Sequence, residues 1–481
     1  MNTALLLRLE TRRNIGLWVW PVLVGLAVLL AYGDGLGSRV TLWVQASVLV
    51  RDGLLIVGPA IAGVAAWMGG REHRRKVDDL LATTPRPAWA RWSLTWAATA
   101  LWGTLAYVVA GGYVLALAAR QMTWGGPVAW PLLVGLVAVP AYGAVGYALG
   151  ALLPNRFTAP LVAIALLVVP VVMGRGSRTG TLGPATKPSA LDALHYLSPV
   201  STLDASVWYG VRPDVGWPQA LFLLGLTGLM LGGLALHDRR SLAGWSVLLS
   251  GVVLGGAAVT MLVVAVPPSA LSLMTARLYA APSFVARSHD APVSYTPVCA
   301  GAPVPVCVHP AYQSYLAGEV QVINRLLAPL AGVPSAPTRV EQRPHYEQGV
   351  FGRTLTFVPD NGESATDQYF FGPIAQALVA NYMFDGHGLS NETCPGDPTT
   401  QSCTEAQDAV GVWLVRQAGL QLHLVTSVGT TFRPYFDSHN WSRTSAAADR
   451  FGRLGQARQQ AWLRAHYAAL TQGRLPWQDL P

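Results

Sequence analysis

The sequence predicts a mainly α-helical, polytopic membrane protein with a separate polar domain at its C-terminal end. Three observations lead there. Of the 481 residues, 52% are hydrophobic and only 12% are charged, about half the ~25% charged fraction of an ordinary soluble domain. The apolar residues fall in long charge-free runs, all of them before residue 277. The charge is divided too: residues 1–266 carry a net +9 and residues 267–481 a net −1, so the basic pI near 9.5 belongs to the apolar part. A nucleic-acid binder needs its cations on a soluble face. Here the soluble part is neutral, and no nucleic-acid partner is expected.

Seven runs lack Asp, Glu, Lys and Arg: 15–33, 53–70, 93–119, 121–155, 157–174, 215–236 and 241–276. Each reaches the length needed to cross a hydrocarbon layer of ~30 Å at 1.5 Å per residue. Only helices and closed barrels satisfy their backbone in lipid, and these runs lack the alternation of barrel strands. Seven membrane helices are therefore expected. The first follows a polar, amphipathic start bearing Arg8, Glu10, Arg12 and Arg13 and precedes no small-residue cleavage site, so it reads as a retained anchor. Met1 to Asn14 itself reads either as a helix lying in the inner interface or as a frayed charged leader.

Orientation follows the cations. With the N-terminus in the cytoplasm, inner segments hold 12 Lys/Arg and outer segments 7, which favours that arrangement. An odd number of spans then places the tail outside. The inner loop between the second and third runs is the most polar; Arg71 to Ala82 has no helix breaker, and Pro85 disfavours helix at Thr84. About three helical turns are expected over 71–82, with Val77, Leu80 and Leu81 on one face. The alternative is a loop whose charges only fix topology. The outer loop 175–214 is apolar and aromatic in its second half, including Tyr196, Trp208 and Tyr209. Short helices dipping into the outer leaflet are expected there, or else a plain interfacial aromatic belt.

All four cysteines lie in the tail as two close pairs, Cys299 with Cys307 and Cys394 with Cys403. Two small disulfide loops in an oxidising compartment are the expectation. A zinc site is disfavoured, since these spacings do not match the short pairs of zinc ligands; unpaired or cross-paired thiols are the other alternative. Helices are expected at 312–330, 368–383, 406–420 and 447–471, and a strand at 353–358, so the tail is mixed α/β or mainly α.

No Walker A phosphate loop occurs, so the chain is not expected to hydrolyse ATP. Ion relays keep charges inside the membrane, and the third to seventh runs hold none. Energy for any transport must come from a partner. The order of features then resembles the permease subunits of ATP-binding-cassette exporters of the type-two class. The likeness covers roughly residues 1–240: an N-terminal interfacial helix, six spans, a basic inner loop running from Arg71 to Leu80, Leu81, Thr83, Thr84 and Pro85, and an outer loop carrying Tyr196, Leu197, Ser198 and Pro199 before the sixth span. The resemblance implies a coupling helix, with Arg71, Glu72, Arg74, Arg75, Lys76, Leu80 and Leu81, that docks on a separate ATPase subunit. It also implies a partly re-entrant outer loop at Tyr196–Pro199 and a second permease, identical or not, facing this one. ATP and magnesium would sit on the ATPase, with no cofactor in this chain. The use of 31 Arg against 2 Lys looks like a GC-rich bacterium, and actinobacterial permeases of this kind often carry an outer extension.

The expected division is a six-span permease domain at 1–240, a seventh span and linker at 241–276, and an extracytoplasmic disulfide-containing domain at 277–481. The seventh span and the outer domain depart from the family's six-span plan. Some relatives are fused to zinc peptidases, but no H-E-x-x-H helix occurs here, so neither catalytic nor metal residues are expected in the tail. The expected function is therefore that of a multi-pass cytoplasmic-membrane permease, surrounded by lipid and moving a hydrophobic or amphipathic substrate outward. The alternatives are a membrane-anchored outer hydrolase with a degenerate zinc-peptidase-like domain, and a sensory or scaffold membrane protein.

Overall fold

The computed structural model describes residues 3–33, 42–76, 87–122, 124–175, 197–199, 207–211, 213–238, 242–265, 290–343, 347–357, 368–380, 382–383, 401–420, 425–427, 430–432 and 441–481. They form two compact units, one ending at Val293 and the other beginning at Ser294.

The first unit is helical. In chain order its helices are α1 (Thr3–Arg13), α2 (Gly16–Gly33), α3 (Trp43–Asp52), α4 (Leu54–Gly69), α5 (Arg71–Arg74), α6 (Ala88–Gln121), α7 (Ala129–Leu152), α8 (Thr158–Arg175), α9 (Pro213–Asp238) and α10 (Leu242–Ala265). Among the described residues, four stretches are long and apolar enough to cross a membrane: Trp43–Gly69, Ala88–Gln121, Ala129–Leu152 and Gly216–His237. The pair α1 and α2, bent by 61°, supplies a fifth if counted as one. The chain is thus a helical membrane protein by composition and length. The apolar stretches within α8 and α10, Thr158–Val169 and Gly244–Thr260, are shorter.

One boundary differs from the charge-free runs. The second span begins ten residues before residue 53, because α3 and α4 form one helical stretch from Trp43 to Gly69. Gly53 keeps helical dihedrals, its N–H donates to Leu49 O at 3.1 Å, and its carbonyl accepts from Val57 N at 3.0 Å. A run cut at every charged residue stops short here, since Arg51 and Asp52 sit within the helix.

Packing in this unit depends on small residues. Within a bilayer, lipid is as apolar as leucine, so helices associate through close backbone approach. Gly146 and Gly150, one turn apart on α7, lie against the backbone of Ala62 and Ala66 on α4, where a Cβ on either glycine would collide with a carbonyl. α9 and α10 pack the same way, Gly225 beside Gly255 and Gly228 beside Gly251. The falling second number shows that the two helices run antiparallel.

Of the loop before α9 the described residues are a 3₁₀ turn at Leu197–Pro199 and, from Val207 on, a turn leading into strand β1 (Tyr209–Val211); the rest of the stretch where short helices are expected lies outside the described residues. β1 pairs antiparallel with β2 (Asp290–Pro292), Tyr209 opposite Pro292. The local sequence could not reveal this partner, which lies about 80 residues further on. Trp208 is buried, and its carbonyl accepts from Val293 N at 2.9 Å, so it serves packing and not an exposed belt.

The second unit is mixed. Strands β3 (Val298–Ala300), β4 (Val306–Val308), β5 (Arg339–Gln342), β6 (Glu347–Phe351), β7 (Thr354–Phe357) and β8 (Tyr382–Met383) form a six-stranded sheet in the order β3-β4-β5-β7-β6-β8. The pairs β4–β5 and β5–β7 are parallel and the others antiparallel. Helices α11 (Leu316–Leu327) and α12 (Gln368–Val379) pack on it, α13 (Gln401–Gln417), α14 (Trp441–Arg453) and α15 (Gln456–Thr471) pack on neighbouring helices, and a hairpin of β9 (Val425–Ser427) and β10 (Thr430–Phe432) completes the elements. α11 buries Leu316, Ile323, Leu326 and Leu327 at the helical spacing. Ile374, Leu378 and Tyr467 are fully buried, and the Tyr467 hydroxyl donates to Leu378 O at 2.7 Å. Two expected helices come out shorter. The stretch 447–471 breaks at Gly455, whose extended ψ of 149° starts α15 afresh, and 368–383 stops at Val379 so that Tyr382 can join the sheet edge.

Candidate functional site

Two polar clusters stand out in the first unit, one at each end of its helices. A chain of donors and acceptors joins α1 to α5 and α6. Glu10 takes both ends of the Arg71 guanidinium, at 3.0 and 3.2 Å. Glu72, next in sequence, faces Arg91 at 3.5 Å and accepts from Trp92 Nε1 at 3.3 Å, both on α6. Below them, Asn14 Nδ2 donates to Thr99 Oγ1 at 2.8 Å while its Oδ1 accepts from Gly16 N, and Trp102 Nε1 donates to Thr11 O at 2.9 Å. Arg74 folds back over the Trp67 ring, 3.9 Å from its centre, and donates to the Trp67 carbonyl. Such a cation over an indole face is favourable in its own right.

Of the predicted coupling residues, Arg71, Glu72 and Arg74 are therefore engaged within the chain, whereas Arg75 and Lys76 are exposed. The single helix expected over 71–82 is interrupted. α5 ends at Arg74, and Lys76 takes a positive φ of 53°, a left-handed conformation that closes a helix. Val77, Leu80 and Leu81 lie outside the described residues.

At the opposite end sits a residue that the charge-free runs hid. Arg51 lies about 12 Å along the helix from Trp43, by 1.5 Å per residue, and is only 3% exposed. Its Nε donates to the Pro199 carbonyl at 2.6 Å and its Nη2 to Gln219 Oε1 at 3.3 Å. Gln219, fully buried on α9, returns a bond from its Nε2 to Ser198 O at 3.4 Å. Asp52 and Tyr107 are near enough to act on the charge electrostatically. An arginine among spanning helices is costly unless partnered and marks a functional position by default. Its partners here include Ser198 and Pro199 of the predicted outer loop; Leu197 is buried beside them, and Tyr196 lies outside the described residues. A sequence signal was present: a lone Arg-Asp pair flanked on both sides by apolar residues. Gln219 gave none, being uncharged inside a long apolar run.

In the second unit Cys299 and Cys307 form a disulfide, directly opposite each other across the β3–β4 pair with Cα atoms 4.0 Å apart. Cys403 is buried and disulfide-bonded, and Cys394 lies outside the described residues. Among the described residues no three His, Cys, Asp or Glu come together to hold a metal ion. His309 has a structural place: its Nδ1 accepts from Ala311 N at 3.1 Å, its backbone N–H donates to Gln342 Oε1 at 2.6 Å, and its ring packs on Tyr295 at 4.3 Å. Burial holds this imidazole down at about 4. Glu319 on α11 is buried, and desolvation pushes its carboxyl up to about 8. Its Oε2 has no hydrogen-bond partner among the described residues.

Comparisons with protein-family models, with curated proteins and with solved structures return no match for this chain.

Proposed function

We propose that the chain is the membrane subunit of an ATP-binding-cassette exporter of the type-two class, moving a hydrophobic or amphipathic substrate outward across the cytoplasmic membrane. In this reading a six-span core and a seventh span carry the tail outside, the N-terminus stays in the cytoplasm, and a separate ATPase bound to ATP and magnesium supplies the energy. A second permease completes the path.

The observation that carries the reading is the inner polar cluster. A coupling element must be gripped by the spans and still offer a surface to its partner. Arg71, Glu72 and Arg74 are tied to α1, α6 and Trp67, while Arg75 and Lys76 at the loop's turn remain exposed. A loop that served only to set topology would need its charges in the cytoplasm but no such ties.

The test is co-purification with an ATPase encoded beside the gene. Changing Leu80 and Leu81 to Ser keeps the cation count, so insertion stays normal. Each buried leucine lost from a contact costs about 1.5–3 kcal/mol, one to two powers of ten in affinity. ATPase recovery should therefore collapse. Recovery at the unmodified yield, with export intact, would refute the coupling role.

A further inference from the structure

Helix α1 is held along one side only. Glu10 grips Arg71 of α5, the Thr11 carbonyl accepts from Trp102 of α6, and Asn14, just past its last turn, bonds to Thr99 of α6. Leu6, Leu7, Glu10 and Thr11 are half-buried on that side. At about 100° per residue, from 3.6 residues per turn, the opposite side carries Arg8, Arg12, Leu5, Leu9 and Arg13 in that order across an arc of about 140°. All five are exposed, Leu5 at 52% and Leu9 at 43%. No acidic residue falls within the arc, because the only carboxylate of α1, that of Glu10, is turned onto Arg71.

We propose that this face of α1 binds the headgroup layer of anionic phospholipid, with Leu5 and Leu9 entering the top of the acyl chains while Arg8, Arg12 and Arg13 hold phosphates on either side of them. A narrow apolar strip flanked by cations is what a helix lying in an interface requires. The bend of 61° turns α1 away from the axis of the apolar helix α2. Just past that bend Ile15 and Trp18 are exposed, Trp18 at 78%, and an indole is at home at headgroup depth. Guanidinium groups match phosphate oxygens two at a time. A zwitterionic lipid brings its own ammonium beside the phosphate, so three cations with no acid among them favour a lipid of net negative charge. The proposal needs only that the chain resides in a bilayer, and it does not rest on the export reading.

The experiment uses the full chain with Leu5→Cys, labelled with bimane without reduction; no cysteine among the described residues is free to compete. The protein is placed in nanodiscs of equal phosphatidylcholine and phosphatidylglycerol, with bromine near the headgroup end of the acyl chains of one lipid or the other, and quenching of the bimane is read. Brominated phosphatidylglycerol should quench at least twofold more than brominated phosphatidylcholine. Arg8→Gln, Arg12→Gln and Arg13→Gln together should make the two equal. Arg75→Gln with Lys76→Gln, which removes exposed cations outside α1, should leave the twofold difference in place. Raising the salt to about 1 M, where charges act over only ~3 Å, should abolish the difference with the three arginines intact, so the matter is decided even if the triple variant fails to fold. Equal quenching by the two lipids at low salt would overturn the headgroup assignment. So would a difference that survives the triple change or the salt, or one that is lost when only Arg75 and Lys76 are changed. No quenching by either lipid would put α1 against a protein or in water and overturn the proposal as a whole.

Discussion

Glu10 and Arg71, 61 positions apart, meet in a two-pronged pair in which both carboxylate oxygens are used. The two side chains are about a quarter exposed, so the pair is screened less than a surface contact yet more than a buried one. Glu10→Gln should cost about 1 kcal/mol, seen as a lower thermal midpoint of the solubilised chain. The exchanged pair Glu10→Arg with Arg71→Glu should recover most of the loss. If the double exchange is no better than either single change, the two residues are not coupled.

The contact between α4 and α7 leaves no space for a side chain at Gly146 or Gly150. Gly146→Val should therefore separate the helices, at a cost of about 3 kcal/mol, and reduce the yield of monodisperse protein several-fold. Gly112→Val on α6 is the control, since nothing lies within 4 Å of its Cβ position. Equal yields from the two variants would argue against close packing there.

Glu319 gives the second unit an unusual response to pH. Its carboxyl ordinarily titrates at 4.5 and burial raises it to about 8 in the folded chain. Below 4.5 it is neutral whether folded or not, so it contributes no pH dependence. Between 4.5 and 8 the unfolded form loses its proton while the folded form keeps it, and stability falls as pH rises. Glu319→Gln removes the penalty. The variant should melt several degrees above the parent at pH 8, with the gap narrowing towards pH 5. A gap that is constant across this range would show that the carboxyl is ionised in the folded state.

The bridge between Cys299 and Cys307 closes a short loop across β3 and β4. Replacing both by Ser should lower stability by about 2–3 kcal/mol on the chain-entropy account. Calorimetry of the full chain should show a lower midpoint for the second unit with the membrane helices unaffected. A shift in both transitions would mean that the bridge has a wider role.

The helices of the first unit were legible because hydrophobic length is a local property: α2, α6 and α7 fall within or around charge-free runs. The start of the second span was not, because a charge ends such a run whether or not the fold buries it. Contacts 148 and 168 positions away help to make Arg51 tolerable inside a helix, and no local pattern announces them. In the tail, the α11 region showed its apolar stripe plainly, whereas β3, β4 and β8 are two or three residues long and owe their existence to distant partners. The basic loop announced itself by composition. That Arg71 and Glu72 would turn inward onto Glu10 and Arg91 depended on α1 and α6 being neighbours, which no local pattern encodes.

The separation of Arg51 from its partners also has a consequence in time. Chains are made at about 5–20 residues per second, so Pro199 and Gln219 leave the ribosome on the order of ten to thirty seconds after Arg51. During that interval the guanidinium has neither acceptor, and hydrocarbon is a poor place for it to wait. The Arg51 end of the second span therefore completes its insertion late, after the residues preceding and opening α9 have been made. A ribosome stalled before residue 199 should leave Arg51 in water, and the length of nascent chain at which it becomes shielded would date the assembly of this end of the bundle.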